Sequence, residues 1–450
     1  MHWTWTPPSI NLPAEMVAQP TQLPPDLHAS GIAYGGSAPG RLDVMGGIAD
    51  YSGSRVLQMP IEARTTVKIN LRPDGLFRAV TFFPNGAFNY QEITADALET
   101  NGQLTVEGVR TIFKQRQGGE WLSYVIGCFV VLHQYKGLPL NGADISVRSE
   151  VPWGKGVSSS AALEVATMRA LVLAASIEMQ GTELARLAQM VENLIVGAPC
   201  GLMDQLASQH GKPRHLLPIV CRPDQLEEPI ELPPDLHFVG VDSGIRHAVT
   251  GADYGQVRTS AFMGLALVRA LASQAGLPEP EHLGEIEPSH WLNRYHLHLP
   301  EHMHGEVFLD SGLKVPDALS KVSPATRYAV RACAAHPVLE NHRVALFEQL
   351  IASLPDNESQ RNRSLNLMGE VMYQAHESYN QCGLGHPATD QLVAMVRSGH
   401  YPSLLGAKIT GGGSGGTVCV LASGDDGLQQ LKQLKHAYEE QSGQASMLIY

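Results

Sequence analysis

Residues Pro152-Trp153-Gly154-Lys155-Gly156-Val157-Ser158-Ser159-Ser160 set two glycines ahead of three serines, directly after a stretch that reads as a strand ending at Val151. Gly154 and Gly156 let the backbone turn sharply and approach a ligand, because they carry no Cβ. The serines open an apolar run over 158–177 that reads as a long helix. The first turn of a helix offers free N–H groups and the positive end of its dipole to an anion. Phosphate binding is the chemistry on offer. The spacing is not that of a Walker loop, since no Gly-Lys-Ser/Thr follows four residues after a first glycine. Taken alone, the stretch also reads as an ordinary turn before a serine-capped helix.

Two further segments add to it. Arg41-Leu42-Asp43-Val44-Met45-Gly46-Gly47-Ile48-Ala49-Asp50-Tyr51 places a cation and two acids beside paired glycines. Lys408-Ile409-Thr410-Gly411-Gly412-Gly413-Ser414-Gly415-Gly416-Thr417 has five glycines in six residues between two strand-like runs. Ordering such a loop costs backbone entropy, so it is expected to lie against a partner surface.

Taken in order, the three segments resemble the three motifs of the GHMP kinases, and the first resembles the galactokinase signature within that family. Similarity extends through Val191-Glu192-Asn193, Pro199-Cys200-Gly201-Leu202-Met203-Asp204-Gln205 and Asp242-Ser243-Gly244-Ile245-Arg246-His247. It spans residues from about 38 to 421, and within the family the first motif is most similar to the arabinokinase branch.

The resemblance implies roles. Asp204 is the carboxylate beside the attacking sugar hydroxyl, and Arg41 lies close to it, stabilising charge on the transferring phosphoryl group. From spacing alone, Asp204 reads first as a helix cap, and only the resemblance makes it the carboxylate of the reaction. Gly154, Lys155, Gly156, Val157, Ser158, Ser159 and Ser160 form the ATP phosphate loop, with Lys155 either on a phosphate or pointing to water. Trp121 matches the tryptophan near the adenine, although a core position fits it nearly as well. Ser160 and Glu192 are the implied Mg²⁺ ligands, with Ser159 an alternative to Ser160. Helical phase puts Glu192 about 120° from the centre of its helix's apolar stripe, so its plain reading is a solvated surface acid. Asp50, Gly47, Ile48, Gly201, Asp204 and Tyr254 are the implied sugar contacts. Gly411, Gly412 and Gly413 form the Gly-rich loop, and Arg246 and His247 brace a loop near the sugar.

The elements that must position these groups are mixed. Thr65, Val67, Ile69 and Leu71 alternate with Thr66, Lys68, Asn70 and Arg72, the period of a half-buried strand. Further strands read at 79–83, 90–93, 144–151 and 238–242, with a strand–turn–strand at 407–421. Helices read from Trp121 onward and over 182–196, 254–275, 328–354 and 366–379. Strands and helices in both halves give an α+β class. The resemblance implies a two-domain GHMP kinase fold, with a ribosomal S5 domain 2-like N-terminal domain over 33–230 and a ferredoxin-like C-terminal domain over 231–450. Residues 1–32, with six prolines, read as an extended arm. His282, His290, His296, His298, His302 and His304 lie in a Pro- and Glu-rich stretch outside every motif, expected to be an exposed insertion loop and not a metal site.

Composition limits the partners. The chain has 450 residues, 32 Lys and Arg against 44 Asp and Glu, and a net charge of -12, which leaves no basic stripe for nucleic acid. No run of about 18 apolar residues is present. Six cysteines without a CxxC pair suit a reducing compartment, and no secretory signal is read at the start, so a cytoplasmic location is expected. The expected partners are ATP, with Mg²⁺ as cofactor, and a small monosaccharide, with the protein a monomer or homodimer.

The expected reaction is phosphorylation of a sugar's anomeric hydroxyl. The galactokinase signature carries Glu and His where this chain has Gly47 and Ile48, side chains near the sugar's C6 hydroxymethyl. L-Arabinopyranose shares the ring hydroxyl arrangement of D-galactopyranose and lacks that group, so L-arabinose is the expected substrate. Galactokinase and uronate kinase are the alternatives, the latter through Arg55 or Arg64. A non-catalytic sugar and ATP sensor disagrees with the presence of Asp204, Ser160, Glu192 and Arg41.

Overall fold

The computed structural model describes Leu27 and residues 32–83, 86–100, 102–116, 119–222, 224–245 and 252–450. The Pro-rich arm, apart from Leu27 and Ile32, and the Arg246-His247 pair lie outside the described residues.

The chain divides into two compact units. The first comprises Met1–Gly40, Ala63–Pro152 and Ser159–Cys200; the second comprises Arg41–Glu62, Trp153–Ser158 and Gly201–Tyr450. Strands β1 (Tyr34–Met45) and β2 (Arg55–Leu71) contribute residues to both.

In the first unit, β3 (Leu76–Phe82) pairs antiparallel with β4 (Phe88–Thr94), and helices α1 (Val106–Gln115) and α2 (Glu120–Lys136) follow. Strand β5 (Gly142–Ser149) lies between β3, to which it is parallel, and the Thr65–Leu71 part of β2, to which it is antiparallel. The expected alternation in β2 holds through Ile69: Val67 and Ile69 are buried, Thr66 and Lys68 exposed. It breaks at Asn70, which is buried, and Leu71, which is exposed. Helices α3 (Ser159–Ala174) and α4 (Gly181–Met190) complete the unit, and a π-helical turn over Val191–Val196 extends α4. Helix α2 is buried from Val125 through Leu132, so it forms the centre of this core. Its Phe129 meets Phe77 of β3 edge-on at 5.0 Å, and burying such a ring contributes about 1.5–3 kcal/mol.

In the second unit, α5 (Met203–His210) leads to β6 (His215–Cys221), which pairs with the Arg55–Gln58 part of β2 and with the short β7 (Asp224–Leu226) and β8 (Ile230–Glu231). Strand β9 (Leu236–Asp242) precedes the long helix α6 (Ala252–Gln274). The His-rich segment follows, and it is not an exposed loop. It folds into α7 (Pro288–His290), a π turn over Trp291–Tyr295, β10 (Met303–His304) and α8 (Gly305–Asp310), with β11 (Arg327–Tyr328) paired to β10. Leu283, Ile286, Trp291, Tyr295 and Leu299 turn into the core shared with α6. That burial overrides the segment's polar composition, while His290, His298, His302 and His304 face solvent.

Helices α9 (Val330–Ala352), α10 (Glu358–Cys382) and α11 (Pro387–Arg397) come next, followed by β12 (Leu404–Ile409), β13 (Thr417–Ser423), α12 (Gly424–Ser442) and β14 (Leu448–Ile449). The antiparallel sheet order is β12-β13-β9-β14. Its apolar residues pack with Leu392, Val393 and Val396 of α11 and Leu431, Leu434 and Tyr438 of α12.

Candidate active site

The second unit gathers three segments distant in sequence: the end of β1, the 153–158 loop and the first turn of α5. Arg41 is 3% exposed. Its Nε donates to Asp204 Oδ1 at 2.9 Å, its Nη2 to Asp204 Oδ2 at 2.8 Å and its Nη1 to the Gly156 carbonyl at 2.8 Å. Burial alone would lower the Arg41 pKa, but Asp204 and Asp43 outweigh it and raise it. Ser158 Oγ donates to Asp204 Oδ2 at 2.5 Å. Ser158 holds φ +57, a left-handed conformation that costs a serine about 1–3 kcal/mol and persists where surroundings fix it. The Arg41 and Asp204 contacts are surroundings of that kind.

The Gly-rich loop lies against this assembly. Gly411, at φ +72, faces the Gly156 carbonyl so closely that a Cβ there would sit 2.4 Å from that oxygen. Gly413 packs against Leu384, Gly412 is half-buried, and Thr417 Oγ1 donates to the Lys155 carbonyl at 2.8 Å. The Lys155 ammonium neither points to water nor hangs free: it pairs with Asp242 Oδ2 at 2.8 Å.

Behind the glycines of the first motif lies a polar network that sequence reasoning missed. Asp43 and Lys408 form a fully buried ion pair, Nζ to Oδ2 at 2.7 Å. Gln58 Nε2 donates to Asp43 Oδ1 at 2.9 Å, and Tyr379 Oη donates to the Gly411 carbonyl at 2.9 Å and Asp43 Oδ2 at 3.3 Å. The Gly46 N–H donates to Glu340 Oε1 at 2.9 Å. His336, whose pKa burial lowers to about 4, is neutral; its Nε2–H donates to the Gly47 carbonyl at 2.8 Å and its Nδ1 accepts from Ser378 Oγ at 2.8 Å. A lysine inside the apolar run of β12 was the available signal, since a charge there needs a buried partner.

Of the implied sugar contacts, Asp50 sits in a short 3₁₀ turn and is 5% exposed. Burial first, then the Asp204 charge, push its carboxyl up to about 7, against the Tyr51 N–H and Arg258. Gly201 packs its Cα onto this carboxylate; a Cβ there would lie 1.7 Å from Asp50 Oδ2. The half-buried Tyr254 meets Tyr51 edge-on at 5.9 Å. A Cβ on Gly47 would lie 1.8 Å from Tyr379 Oη and 2.1 Å from Asp43 Oδ2. Ile48 is 1% exposed and turns into the α6 core beside Val257 and Phe262.

The first unit holds Trp121, Ser159, Ser160 and Glu192. Trp121 Nε1 donates to Asn89 Oδ1 at 3.4 Å and the ring is half-buried. Glu192 is not the solvated acid that helical phase suggests. It is 9% exposed, because the chain widens into the π turn there and the 100° per residue phase no longer applies. Cys200 Sγ donates to Glu192 Oε2 at 3.6 Å. The Tyr124 hydroxyl has its pKa raised by burial and then by Glu192, Glu164 and Cys200, so two buried carboxylates share this region. The Ser160 hydroxyl and Glu192 carboxylate are hard oxygen donors, and gathered acids favour a divalent cation.

Residues 123–212 match the GHMP kinases N terminal domain, 346–440 the GHMP kinases C terminal domain, and 29–71 the galactokinase galactose-binding signature. The chain is 36% identical to the L-arabinokinase of Arabidopsis thaliana over 92% of its own length and 45% of that protein's, so it spans about half of that relative. It is 30% identical to the galactokinase of Chloroflexus aurantiacus over 86% of its own length and 83% of the relative's. Among solved structures, Lactococcus lactis galactokinase complexed with galactose superposes with a TM-score of 0.72 at 22% identity over 92% of each chain. Methanococcus jannaschii mevalonate kinase gives 0.52 at 15% identity over 94% of this chain and 98% of that one. No helix among the described residues is long and apolar enough to cross a membrane. With 83% of the galactokinase length matched at this identity and both family domains present in order, the chain has the α+β GHMP kinase fold and belongs to the galactokinase-like sugar kinases of that family.

Proposed function

We propose that the protein transfers the γ-phosphoryl group of ATP to the anomeric hydroxyl of L-arabinose, giving L-arabinose 1-phosphate and ADP. Asp204 takes the proton of the attacking hydroxyl as the new O–P bond forms and the bond to ADP breaks. Arg41 sets the carboxylate's orientation and offsets charge on the transferring group. The backbone of residues 154–160 cradles the phosphates, and Trp121 borders the adenine. Ser160 and Glu192 are the protein ligands of Mg²⁺, which when bound neutralises phosphate charge. Asp50, Gly201 and Tyr254 take the ring hydroxyls.

The substrate reading is carried by Gly47 and Ile48. A Cβ on Gly47 would collide with Tyr379 Oη and Asp43 Oδ2, and Ile48 is turned into the core, so neither position offers a polar partner to a C6 hydroxyl. Burying that hydroxyl without a replacement bond costs about 1–3 kcal/mol, roughly 5- to 150-fold in discrimination. Galactose phosphorylation is the second reading, favoured by the match of residues 29–71 to the galactose-binding signature.

ADP release measured across L-arabinose, D-galactose, D-fucose and D-galacturonate tests this. The highest kcat/KM is expected for L-arabinose, with D-fucose above galactose where unpaired polarity is the main penalty. A clear preference for galactose overturns the arabinose reading and leaves the kinase reading standing. Sugar- and ATP-dependent thermal stabilisation without ADP release from any sugar would favour a sensor.

A further inference from the structure

Tyr254 and Arg258 are one turn apart on α6 and share a face. Arg258 is 6% exposed. Asp317 receives its Nε at 3.0 Å and its Nη2 at 3.1 Å, and Ser320 Oγ donates to the same carboxylate at 2.5 Å. The guanidinium carbon lies 5.2 Å from the Tyr51 ring centroid and 5.5 Å from that of Phe262. Tyr51 in turn stands edge-on to Tyr254. The remaining nitrogen, Arg258 Nη1, is buried without a hydrogen-bond partner, and so is Asp50 Oδ1. Each charge acts on the other although the two are not bonded.

We infer that Arg258, clamped by Asp317, is a positioning residue for sugar recognition: it supplies the counter-charge that holds Asp50 as an acceptor for ring hydroxyls and fixes the Tyr51–Tyr254 wall beside it. This rests on Asp50 being a sugar ligand. Facing Asp50 are the acids Asp204 and Asp43, the Tyr51 hydroxyl, the Cys221 thiol and Arg258. Arg41 is already engaged by Asp204 and Lys408 by Asp43, so Arg258 is the cation that opposes the two acids at Asp50. A buried acid beside like charges otherwise takes up a proton and stops accepting hydrogen bonds. An aromatic seat and a two-point clamp keep the guanidinium from swinging toward its neighbour and closing the gap.

The test measures sugar kcat/KM, KM for ATP and melting temperature from pH 5.5 to 9 for wild type, Arg258→Gln, Arg258→Lys and Asp50→Asn. Arg258→Gln is expected to raise sugar KM about tenfold near pH 7, to leave ATP KM within about twofold, and to move the acid limb of sugar kcat/KM upward by about one pH unit. Arg258→Lys keeps the charge and loses the fork, so its limb stays in place while sugar KM rises a few-fold. An unmoved limb in a folded Arg258→Gln protein overturns the inference. Where Arg258→Gln does not melt cooperatively, Arg258→Lys decides, and wild-type sugar KM in that variant overturns it. An Asp50→Asn protein with unchanged sugar KM would instead overturn the assignment of Asp50 to the sugar.

Discussion

Asp204 receives the Arg41 guanidinium on both carboxylate oxygens, at 2.9 and 2.8 Å, while the Ser158 hydroxyl shares Oδ2 at 2.5 Å. The carboxylate is thereby fixed in plane and direction before any substrate arrives. In the proposed role of base, this carboxylate loses its function when its charge is removed, even if its shape is kept. Asp204→Asn is expected to lower kcat by about 10²-fold or more with ATP binding and melting temperature largely kept. Near-normal turnover would remove Asp204 from the mechanism.

Metal dependence isolates the pair in the first unit. Ser160→Ala and Glu192→Gln are each expected to raise the Mg²⁺ concentration for half-maximal activity, and to weaken Mn²⁺ binding followed by electron paramagnetic resonance in the presence of ATP. Unchanged titrations in both variants would assign the ion to other groups.

Gly47 makes a steric prediction. Gly47→Ala places a methyl 1.8 Å from Tyr379 Oη, and overpacking of this kind typically costs about 1–3 kcal/mol. Tyr379→Phe removes that oxygen but leaves the Asp43 Oδ2 contact at 2.1 Å, so the double variant is expected to lose less than the sum of the two single losses. Additive losses would show that the clash is relieved elsewhere.

His336 makes a pH prediction. Its folded pKa of about 4 lies below the ordinary 6.5, so the folded state disfavours the proton. The stability this confers is present above pH 6.5 and is lost as pH falls from 6.5 toward 4, by about 3 kcal/mol in all. Asp50, raised to about 7, acts in the opposite sense, gaining stability as pH falls below 7. Variant differences are therefore the measurement: melting temperature of His336→Gln should decline less than that of wild type between pH 6.5 and 4.5. Parallel curves would place the histidine's proton elsewhere.

What was legible in the sequence was local. The 152–160 loop announces itself through adjacent glycines and serines, and the 411–416 loop through glycine density, because turn chemistry is written in neighbours. Asp50 and Gly201 were legible only through resemblance, since nothing local says that a carboxylate will rest on a glycine's Cα 151 residues away. Lys408 in the apolar run of β12 signals that a buried partner is needed but not that it is Asp43, and the His336–Gly47 pair leaves no signature, both being tertiary pairings. Helical phase alone puts Glu192 at the surface because it takes no account of the π turn, and only the resemblance points it inward. The His-rich segment was misjudged because its composition is polar while Trp291, Tyr295 and Leu299 carry its packing.

The Asp43–Lys408 pair joins positions 365 residues apart. At translation rates of about 5–20 residues per second, roughly 20–70 s separate the two on the ribosome. Throughout that interval β1 carries Asp43 without the lysine that pairs with it in the folded protein. The 41–51 and 152–160 segments of the candidate site therefore emerge well before the β12 residue that completes the network behind them. Truncation anywhere before the β12–β13 hairpin leaves a chain with its 152–160 loop synthesised and without Lys408, the buried partner of Asp43.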